Sequence, residues 1–401
     1  MPRMAGMGPR KLQRRAAIVA RDAGNAALAR MRQMLWRGPR PLAARRVCIY
    51  RIGNIGDTAC AIPAAHAIRN AYPDARITLV TSPGRRGAIG ARELLAQASW
   101  IDEVVVYHRE EMRDLRAMFR FINELRARRF DLWIELPVVA ASWAALARNM
   151  IFAKLVGARW GGGWRFDGAS VGAQAQSELI EFPNEVQRLA QVLAGIGIDM
   201  GSPRFALGLD ESSSKRANAM LARAGLLTTS VVAIMPGARL ETNRWPEGGF
   251  IEVGRHLSAR GFGVVVLGGP SDGERGDRIA AGIGEHAVNF AGRTSLLDTC
   301  QILSQCRMLV SNDTGAHHLA AAVNTPSVVI FSSRDFRGKW HPYGDNHIVL
   351  RKWIECHTCL LEACPVGNRC MSLIKASEVI AACDKLFELT NSTDSKARAA
   401  A

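Results

Sequence analysis

Short runs of β-branched and other apolar residues alternate along the chain with longer amphipathic segments. In the first half the runs predict strands at 47–51, 76–81, 104–107 and 131–136. The segments between and after them have helical periodicity at 59–71, 110–128, 141–155 and 184–195. The second half repeats the alternation, with strands predicted at 231–235, 263–267, 308–311 and 327–331 and helices at 249–260, 272–283, 296–305 and 315–323. Such alternation is typical of parallel α/β architecture.

One stretch between the two halves, residues 199–214, loses this periodicity and gains Gly, Pro and Ser, which favours a linker. Two Rossmann-like units on either side of it predict a site in the cleft, outside the carboxyl ends of the strands. We therefore divide the 401 residues into a basic arm, a first domain, the linker, a second domain, a Cys-rich segment with a C-terminal helix, and a disordered tail: 1–46, 47–198, 199–214, 215–350, 351–390 and 391–401.

The net charge of +16 is concentrated at the N-terminus. Residues 1–46 hold twelve Lys or Arg and one acid, and so carry +11 of it. This distribution argues against a nucleic-acid partner, which would need its basic stripe on the folded body. Two interpretations of the arm stay open: a basic amphipathic helix lying on an anionic membrane surface, or a poorly ordered tail from an over-long translation start.

Membrane and redox signals are consistent with a cytoplasmic protein. The longest apolar run, 136–147, ends at Arg148 and is shorter than the roughly 18–20 residues that span a bilayer. No secretory signal is evident, since the apolar run after Arg14 and Arg15 ends at Arg21. Nine cysteines, an odd number, argue against a disulfide framework and for a reducing compartment.

The first motif, RIGNIGD at 51–57, follows the first predicted strand directly. Its glycines Gly53 and Gly56 allow a tight turn into the next helix, beside Arg51. Asp57 then lies at the start of that helix, facing the site. By itself it is explained equally well as a helix N-cap.

Two further motifs follow strands of the second half. The loop PGARLETNRWP at 236–246 places Arg244 where the phosphates of a nucleotide would lie. The segment SNDTGAHHLAA at 311–321 begins a helix whose first free N–H groups suit a pyrophosphate. Asp313 is explained equally well as a cap of this helix, and His318, one turn along, as a structural histidine.

Taken together and in this order, the motifs resemble a known family. RIGNIGD with the following IPAAHAIRNAYPDARITLVTSP is similar to the opening of the ADP-heptose:lipopolysaccharide heptosyltransferases of glycosyltransferase family 9, where the turn usually reads L-G-D. Segments in the family's order follow: FDLWIELPVVAASWAALARNMIFAKLVGARWGGG, NEVQRLAQVLAGIGI, VVVLGGPSDGER, NFAGRTSL and SNDTGAHHLAAAVNTPSVVIF. The resemblance covers about 47–371.

This resemblance implies a GT-B fold, an α/β architecture of two Rossmann-like domains whose parallel sheets face each other across a cleft. It implies that 47–198 is the acceptor side, with Arg51, Gly53 and Gly56 in its loop, and that 215–350 holds the nucleotide-sugar. Transfer would be inverting and independent of metal, and the sequence has no Asp-x-Asp motif. The implied reaction is the transfer of heptose from ADP-heptose to a lipopolysaccharide core or related glycan. It would take place at the cytoplasmic face of the inner membrane.

Individual roles carry over to matching positions. Asp57 corresponds to the general base, and the donor-binding positions are Arg244, Asn243, Asp313, Thr314, Gly315 and His318. Asn243 is a departure, because the family has a Lys there that neutralises diphosphate. Asn243 removes that charge and leaves Arg244 or another cation to compensate.

Four cysteines are clustered within fifteen residues, at Cys356, Cys359, Cys364 and Cys370. Four thiols can hold a tetrahedral structural zinc or iron. Only one pair has the C-x₂-C spacing, however, so reduced or partly paired surface thiols explain the cluster as well. No cofactor is required by the predicted chemistry.

Other functions remain compatible with the sequence. Within the same class, the acceptor could be a protein and the donor another activated sugar. A nucleotide-sugar 2-epimerase can share the GT-B shape, and the departure at Asn243 is what a non-catalytic scaffold would show. Asp57 and His318, both retained, favour the transferase.

Overall fold

The computed structural model describes residues 9–84, 86–87, 89–167, 181–226 and 230–400. These form two compact units: residues 1–208 with 336–339, and residues 209–335 with 340–401. The division falls inside 199–214. The predicted bounds of the arm, the first domain, the second domain and the tail include 1–8, 85, 88, 168–180, 227–229 and 401, which lie outside the described residues.

The first unit contains a five-stranded parallel sheet in the order β3-β2-β1-β4-β5. Its strands are β1 (Arg46–Ile52), β2 (Arg76–Ser82), β3 (Glu103–Val106), β4 (Leu132–Glu135) and β5 (Trp160–Gly162). Its helices are α1 (Pro9–Leu35), α2 (Ile55–Ala71), α3 (Ala91–Leu94), α4 (Leu115–Ala127), α5 (Trp143–Leu155) and α6 (Glu185–Ala194), with a 3₁₀ turn at Glu111–Arg113. The central strand β1 is buried at five consecutive positions, of which the first four are apolar and the fifth is Arg51, as expected for a strand covered on both faces.

The second unit contains a six-stranded parallel sheet in the order β11-β10-β9-β6-β7-β8. Its strands are β6 (Val231–Met235), β7 (Gly263–Val266), β8 (Ala287–Asn289), β9 (Met308–Asn312), β10 (Ser327–Phe331) and β11 (His347–Arg351). Its helices are α7 (Glu211–Arg223), α8 (Glu247–Ala259), α9 (Gly273–Ile283), α10 (Leu296–Gln305), α11 (Gly315–Ala322), α12 (Arg369–Ser372) and α13 (Ala376–Ala400), with 3₁₀ turns at Glu241–Asn243 and Pro270–Asp272. Residues of α13, including Val379 and Leu386, complete its core.

The basic arm is part of the first unit. Helix α1 buries Leu28, which is 1% exposed, and Trp36, just after the helix, is 3% exposed and donates its indole N–H to Ala158 O at 2.8 Å. Both belong to the core cluster around Trp133. Removing residues 1–40 would therefore expose the core, so truncation does not isolate any surface role of the arm.

The structure differs from two further expectations. Helix α7 starts within the segment expected to be linker, because the Asp210 side chain accepts from Ser213 N at 2.9 Å and caps it. The tail expected to be disordered from 391 continues helix α13 to Ala400, since its Lys, Arg and Ala residues favour helix and no Gly or Pro interrupts it.

No helix within the described ranges is both long enough and apolar enough to cross a bilayer.

Candidate active site

Each sheet reverses its strand order once, and polar loops gather at both reversals. In the first unit the reversal lies between β1 and β4, and in the second between β6 and β9. In open parallel sheets, ligands bind outside the carboxyl ends of the strands at such a switch point. Of the predicted residues, Asp57 lies in the first turn of the helix that follows β1, and Asp313 lies in the loop that follows β9.

Arg51 joins the two strands at the first reversal. It lies near the end of β1 and is 2% exposed. Its Nη1 donates to Pro137 O at 2.9 Å and Leu136 O at 3.3 Å, directly after β4. Its Nη2 donates to Glu185 Oε1 at 2.9 Å and to Asp57 Oδ1 at 3.3 Å. Arg51 therefore fixes the Asp57 carboxylate from the buried side. All the described contacts of Arg51 are with residues of the first unit.

Asp57 lies in the first turn of α2, where its Oδ2 accepts from Asn54 N at 3.0 Å. Asn54 is the N-cap, so Asp57 is not. The Asp57 side chain keeps one fifth of its surface exposed, and burial raises its pKa although Arg51 opposes the shift. A Cβ at Gly53 would come within 2.2 Å of the Asp57 Cβ, so only glycine allows this approach. The combination of a raised pKa and remaining exposure suits a general base.

Three charged residues around Asp57 were not predicted. Arg188 donates to Glu185 Oε2 at 2.6 Å and Oε1 at 2.8 Å. Although burial opposes it, Arg188 and Arg51 lower the pKa of Glu185, which therefore stays ionised. Lys339, 7% exposed, adds a positive charge that lowers the pKa of Asp57. The sequence feature that could have revealed this buried ion pair is the presence of Glu185 and Arg188 within the apolar face of α6.

Glu135, at the end of β4, is a further charged residue that was not predicted. It is 2% exposed, and its Oε1 accepts from Asn149 Nδ2 at 2.8 Å, while its Oε2 has no hydrogen-bond partner among the described residues. Burial raises its pKa from 4.5 to about 8. A carboxylic acid in the apolar segment LWIEL was the sign of a buried ionisable group.

We expect Glu135→Gln to flatten the dependence of stability on pH. Between about pH 4.5 and 8 the folded Glu135 keeps a proton that the unfolded chain has released, so the free energy of unfolding falls as pH rises through this window. The fall is about 1.4 kcal/mol per pH unit at most. Urea unfolding of wild type and variant at three pH values within the window measures the difference. Parallel pH profiles for the two proteins would contradict it.

Asn312 ties together the loops at the second reversal. It ends β9 and is fully buried. Its Nδ2 donates to Pro236 O at 2.7 Å, directly after β6, and its Oδ1 accepts from Trp245 N at 3.0 Å. The loop that carries Arg244 is therefore fixed to the loop that carries Asp313.

Asn243 is buried beside Asp313. Its Nδ2 donates to Asp313 O at 2.9 Å and Oδ2 at 3.3 Å, and its Oδ1 accepts from Ser332 Oγ at 2.7 Å. Both ends of the amide are thus used by the loops after β9 and β10. At the position where the sequence resemblance implies a lysine, this chain therefore has an amide hydrogen-bonded to the Asp313 carboxylate.

Helix α11 begins after Thr314, which is its N-cap, so Asp313 does not cap it. The backbone N–H groups of Thr314 and Gly315 lie at the positive end of this helix. Asp313 Oδ1 lies 3.5 Å from His317 Nε2. His317 is fully buried, and burial, followed by the nearby His347, lowers its pKa to about 3, so its ring is neutral.

His318 follows on the same helix and is 6% exposed. Its ring centroid lies 3.9 Å from that of His317 and 5.9 Å from that of Trp340. His318 therefore lies in the first turn of α11, with its ring between those of His317 and Trp340.

Arg244 borders a pocket of about 330 Å³ in the second unit. Its Nε donates to Ala238 O at 3.0 Å, and Arg275 and Glu247 also line the pocket. Among the donor-side residues predicted from the sequence, only Arg244 lines it in the described part of the chain. Arg244 and Asp313 are thus linked through the backbone of neighbouring loops rather than by a shared pocket wall.

The cysteine cluster consists of free thiols. Cys356 and Cys359 are exposed, and Cys364 and Cys370 are partly exposed. Burial raises the pKa of the Cys370 thiol, and the other three thiols, which lie nearby, raise it further. In the residues that the structure describes, no group of three or more His, Cys, Asp or Glu could hold a metal ion.

Comparison with known proteins decides the family. Residues 118–369 match the model of glycosyltransferase family 9 (heptosyltransferase). The chain belongs to this family. Lipopolysaccharide heptosyltransferase 3 of Escherichia coli is 25% identical over 350 residues, which cover 83% of this chain and 96% of that protein. This family 9 member is therefore a glycosyltransferase, as its motifs predict.

Solved structures confirm the GT-B fold. A family 9 glycosyltransferase from Veillonella parvula matches 87% of this chain and 99% of its own, with a TM-score of 0.70 at 19% identity. The E. coli heptosyltransferase WaaC with ADP-2-deoxy-2-fluoro heptose matches 85% and 99%, with a TM-score of 0.58 at 18% identity. The two parallel sheets of this family 9 chain are the two Rossmann-like domains of that fold.

Proposed function

We propose that the protein transfers heptose from ADP-heptose to a lipopolysaccharide core or related glycan, with inversion and without a metal ion. The observation that supports it most is the Asp57 carboxylate, partly exposed at a switch point and held by a buried arginine. The name of the relative, lipopolysaccharide heptosyltransferase 3, supports the same sugar and acceptor.

On the acceptor side, Asp57 acts as the general base. An acceptor hydroxyl attacks the anomeric carbon from the face opposite ADP, and its proton passes to the Asp57 carboxylate. The new glycosidic bond forms as the bond between the anomeric carbon and the ADP oxygen breaks. Attack opposite the leaving group inverts the anomeric configuration. A positioned base contributes about 10²–10⁴-fold to the rate.

On the donor side, the chain itself stabilises the departing diphosphate. The N–H groups of Thr314 and Gly315, with the dipole of α11, offer partial positive charge to the developing anion. Arg244 supplies a full positive charge from the neighbouring loop, and His318 lies one turn along the helix. Asn243 holds Asp313 in place in this arrangement.

We further propose that the protein works in the cytoplasm, at the anionic inner face of the inner membrane. Helix α1 supplies the basic residues for this contact, each adding about 1 kcal/mol near an anionic surface. Nucleic acid is not a partner in this proposal.

The donor is tested by incubating the protein with a panel of nucleotide-sugars and a heptose-deficient lipopolysaccharide acceptor. We expect release of ADP from ADP-heptose in excess of that from ADP-glucose and UDP-glucose, and only when acceptor is present. Faster release from a UDP-sugar would overturn the donor assignment.

We expect Arg244→Ala to raise the donor KM and to lower kcat, because negative charge grows on ADP as it departs. Loss of one charge-assisted contact weakens ADP about tenfold. Isothermal titration with ADP measures this. Arg239→Ala is the matched control, since Arg239 is exposed on the same loop. Equal affinity in both variants would place the diphosphate elsewhere.

A further inference from the structure

A second cavity lies in the first unit, between helix α1 and the body of the unit. Its volume is about 830 Å³, within the usual range for small-ligand sites. Its lining contains none of Arg51, Asp57, Glu185 and Arg188, so it is separate from the proposed acceptor site. We propose that this cavity binds the phosphate ester of an anionic lipid headgroup.

Charge is the first reason. Four arginines line the cavity, Arg21, Arg32, Arg40 and Arg165, against one acid, Asp22. Asp22 pairs with Arg21 on the exposed side, at 2.9 Å. The other three lining arginines have no acidic partner among the residues that line the cavity. A concentration of guanidinium groups around one space is the usual form of a phosphate site.

The guanidinium groups are also held in place by neutral groups. Arg32 Nε donates to Gly161 O at 3.4 Å, and Arg165 Nη1 donates to Gln191 O at 3.2 Å. Arg40 donates to Ile196 O at 2.8 Å and to Gly197 O at 2.9 Å. Backbone carbonyls orient these side chains without neutralising them, so their charge remains available to a ligand.

Repulsion between the arginines favours the binding of an anion among them. Burial lowers the pKa of Arg165, and the positive charges of Arg21 and Arg188 lower it further. The negative charge of Asp167 opposes this shift and raises the pKa of Arg165. The Asp167 carboxylate itself accepts a hydrogen bond from Ala140 N at 2.8 Å. An anion bound among these groups would relieve the repulsion.

The surroundings favour a lipid over a soluble anion. The cavity has an aromatic wall, in which Trp160 lies under the Arg32 guanidinium at 4.8 Å and Trp164 stacks on Trp36. Helices α1 and α5 are in contact, with the Trp143 indole donating to Gly24 O at 3.1 Å. These helices and the segment after α1 expose large apolar side chains: Val19, Met34, Leu42, Trp143, Ile151 and Leu155. Exposed apolar side chains on elements that also line an arginine-rich cavity are typical of a surface that meets lipid.

The test uses isothermal titration of the full chain with dihexanoyl phosphatidylglycerol below its micelle concentration. We expect Arg32→Gln with Arg165→Gln to weaken binding at least tenfold. Arg30→Gln is the matched control, because Arg30 is exposed on the same helix and does not line the cavity. Its affinity should equal that of wild type. Equal affinity in the double variant, or an equal loss in Arg30→Gln, would overturn the proposal.

Two further arms separate the sources of phosphate and guard against misfolding. Glucose 6-phosphate and inorganic phosphate should bind more weakly than the lipid, and tighter binding of either would overturn the lipid assignment. Arg21→Gln changes a cavity residue whose side chain is 43% exposed, so it leaves the core intact. Arg21→Gln should weaken lipid binding at least twofold, and it serves as the test if the double variant fails to fold. Unchanged binding of lipid by Arg21→Gln would overturn the proposal. Because no sugar transfer is measured, the outcome is independent of the proposed heptosyltransferase function.

Discussion

Asp57→Asn should reduce kcat for transfer by about 10²–10⁴-fold, the typical contribution of a positioned general base. The amide keeps the size of the side chain and an oxygen that accepts from Asn54 N, so the start of helix α2 is preserved. It cannot take a proton from the acceptor hydroxyl. Steady-state kinetics with saturating donor and acceptor measures the loss, and titration with ADP should show unchanged affinity.

The matched control for Asp57 is Asp114→Asn. Asp114 is the N-cap of α4 in the same unit, where its carboxylate accepts from the N–H groups of Arg116 and Ala117. Asn caps a helix as well as Asp does, so this variant should keep full activity. If Asp57 were only a helix-capping residue, both variants would turn over normally, and the general-base role would be wrong.

The pH dependence gives a second readout on Asp57. Burial raises its pKa, so the acidic limb of kcat/KM should lie above the ordinary aspartate value of 3.8. Activity is then present above this pKa and is lost as pH falls through it. A limb at or below 3.8 would show that another group limits the reaction.

Arg51→Gln should produce the largest loss of stability, about 3–5 kcal/mol, which is typical for removing one partner of a buried ion pair. Glu185 and Asp57 would lose a shared cation, and the Leu136 carbonyl would lose the Arg51 guanidinium as its donor, while the Pro137 carbonyl would keep only Arg188. Urea unfolding followed by tryptophan fluorescence measures the change.

The control for Arg51 is Arg86→Gln. Arg86 pairs with Glu111 at the surface, with 71% of its side chain exposed. Exposed ion pairs contribute about 0–1 kcal/mol, so the control should unfold close to wild type. Similar midpoints for the two variants would mean that Arg51 does not hold the switch point together.

Local patterns were sufficient to predict the central strands and the loops that follow them. The apolar runs at β1, β6 and β9 and the Gly-rich or polar segments after them depend on neighbouring residues in the sequence. Asp57 and Asp313 could be located for the same reason, because each lies at the turn between a buried strand and the helix that follows it.

Contacts between distant residues could not be predicted in this way. Arg51 and Glu185 are 134 positions apart, and nothing local shows that they share an ion pair. Asn312 is an ordinary strand-end residue until it is seen to join Pro236 and Trp245. Short strands such as β5 and β8 also lacked a signal, because three residues are too few to establish a period of two.

The arm shows a different limit. Its charge pattern left a surface helix and a disordered tail equally open, since both need only solvated basic residues. The structure shows a helix whose Leu28, with Trp36 just after it, is buried against the first unit by tertiary packing, which neither interpretation predicted. Tertiary contacts, more than propensity, stabilise most helices in proteins.

The most direct test of the central claim is the intact mass of a heptose-deficient lipopolysaccharide core after incubation with ADP-heptose and the protein. We predict that each acceptor gains one heptosyl residue for each ADP released, and that Asp57→Asn leaves the acceptor mass unchanged over the same period. An unmodified acceptor in the presence of wild-type protein and accumulating ADP would contradict heptosyl transfer.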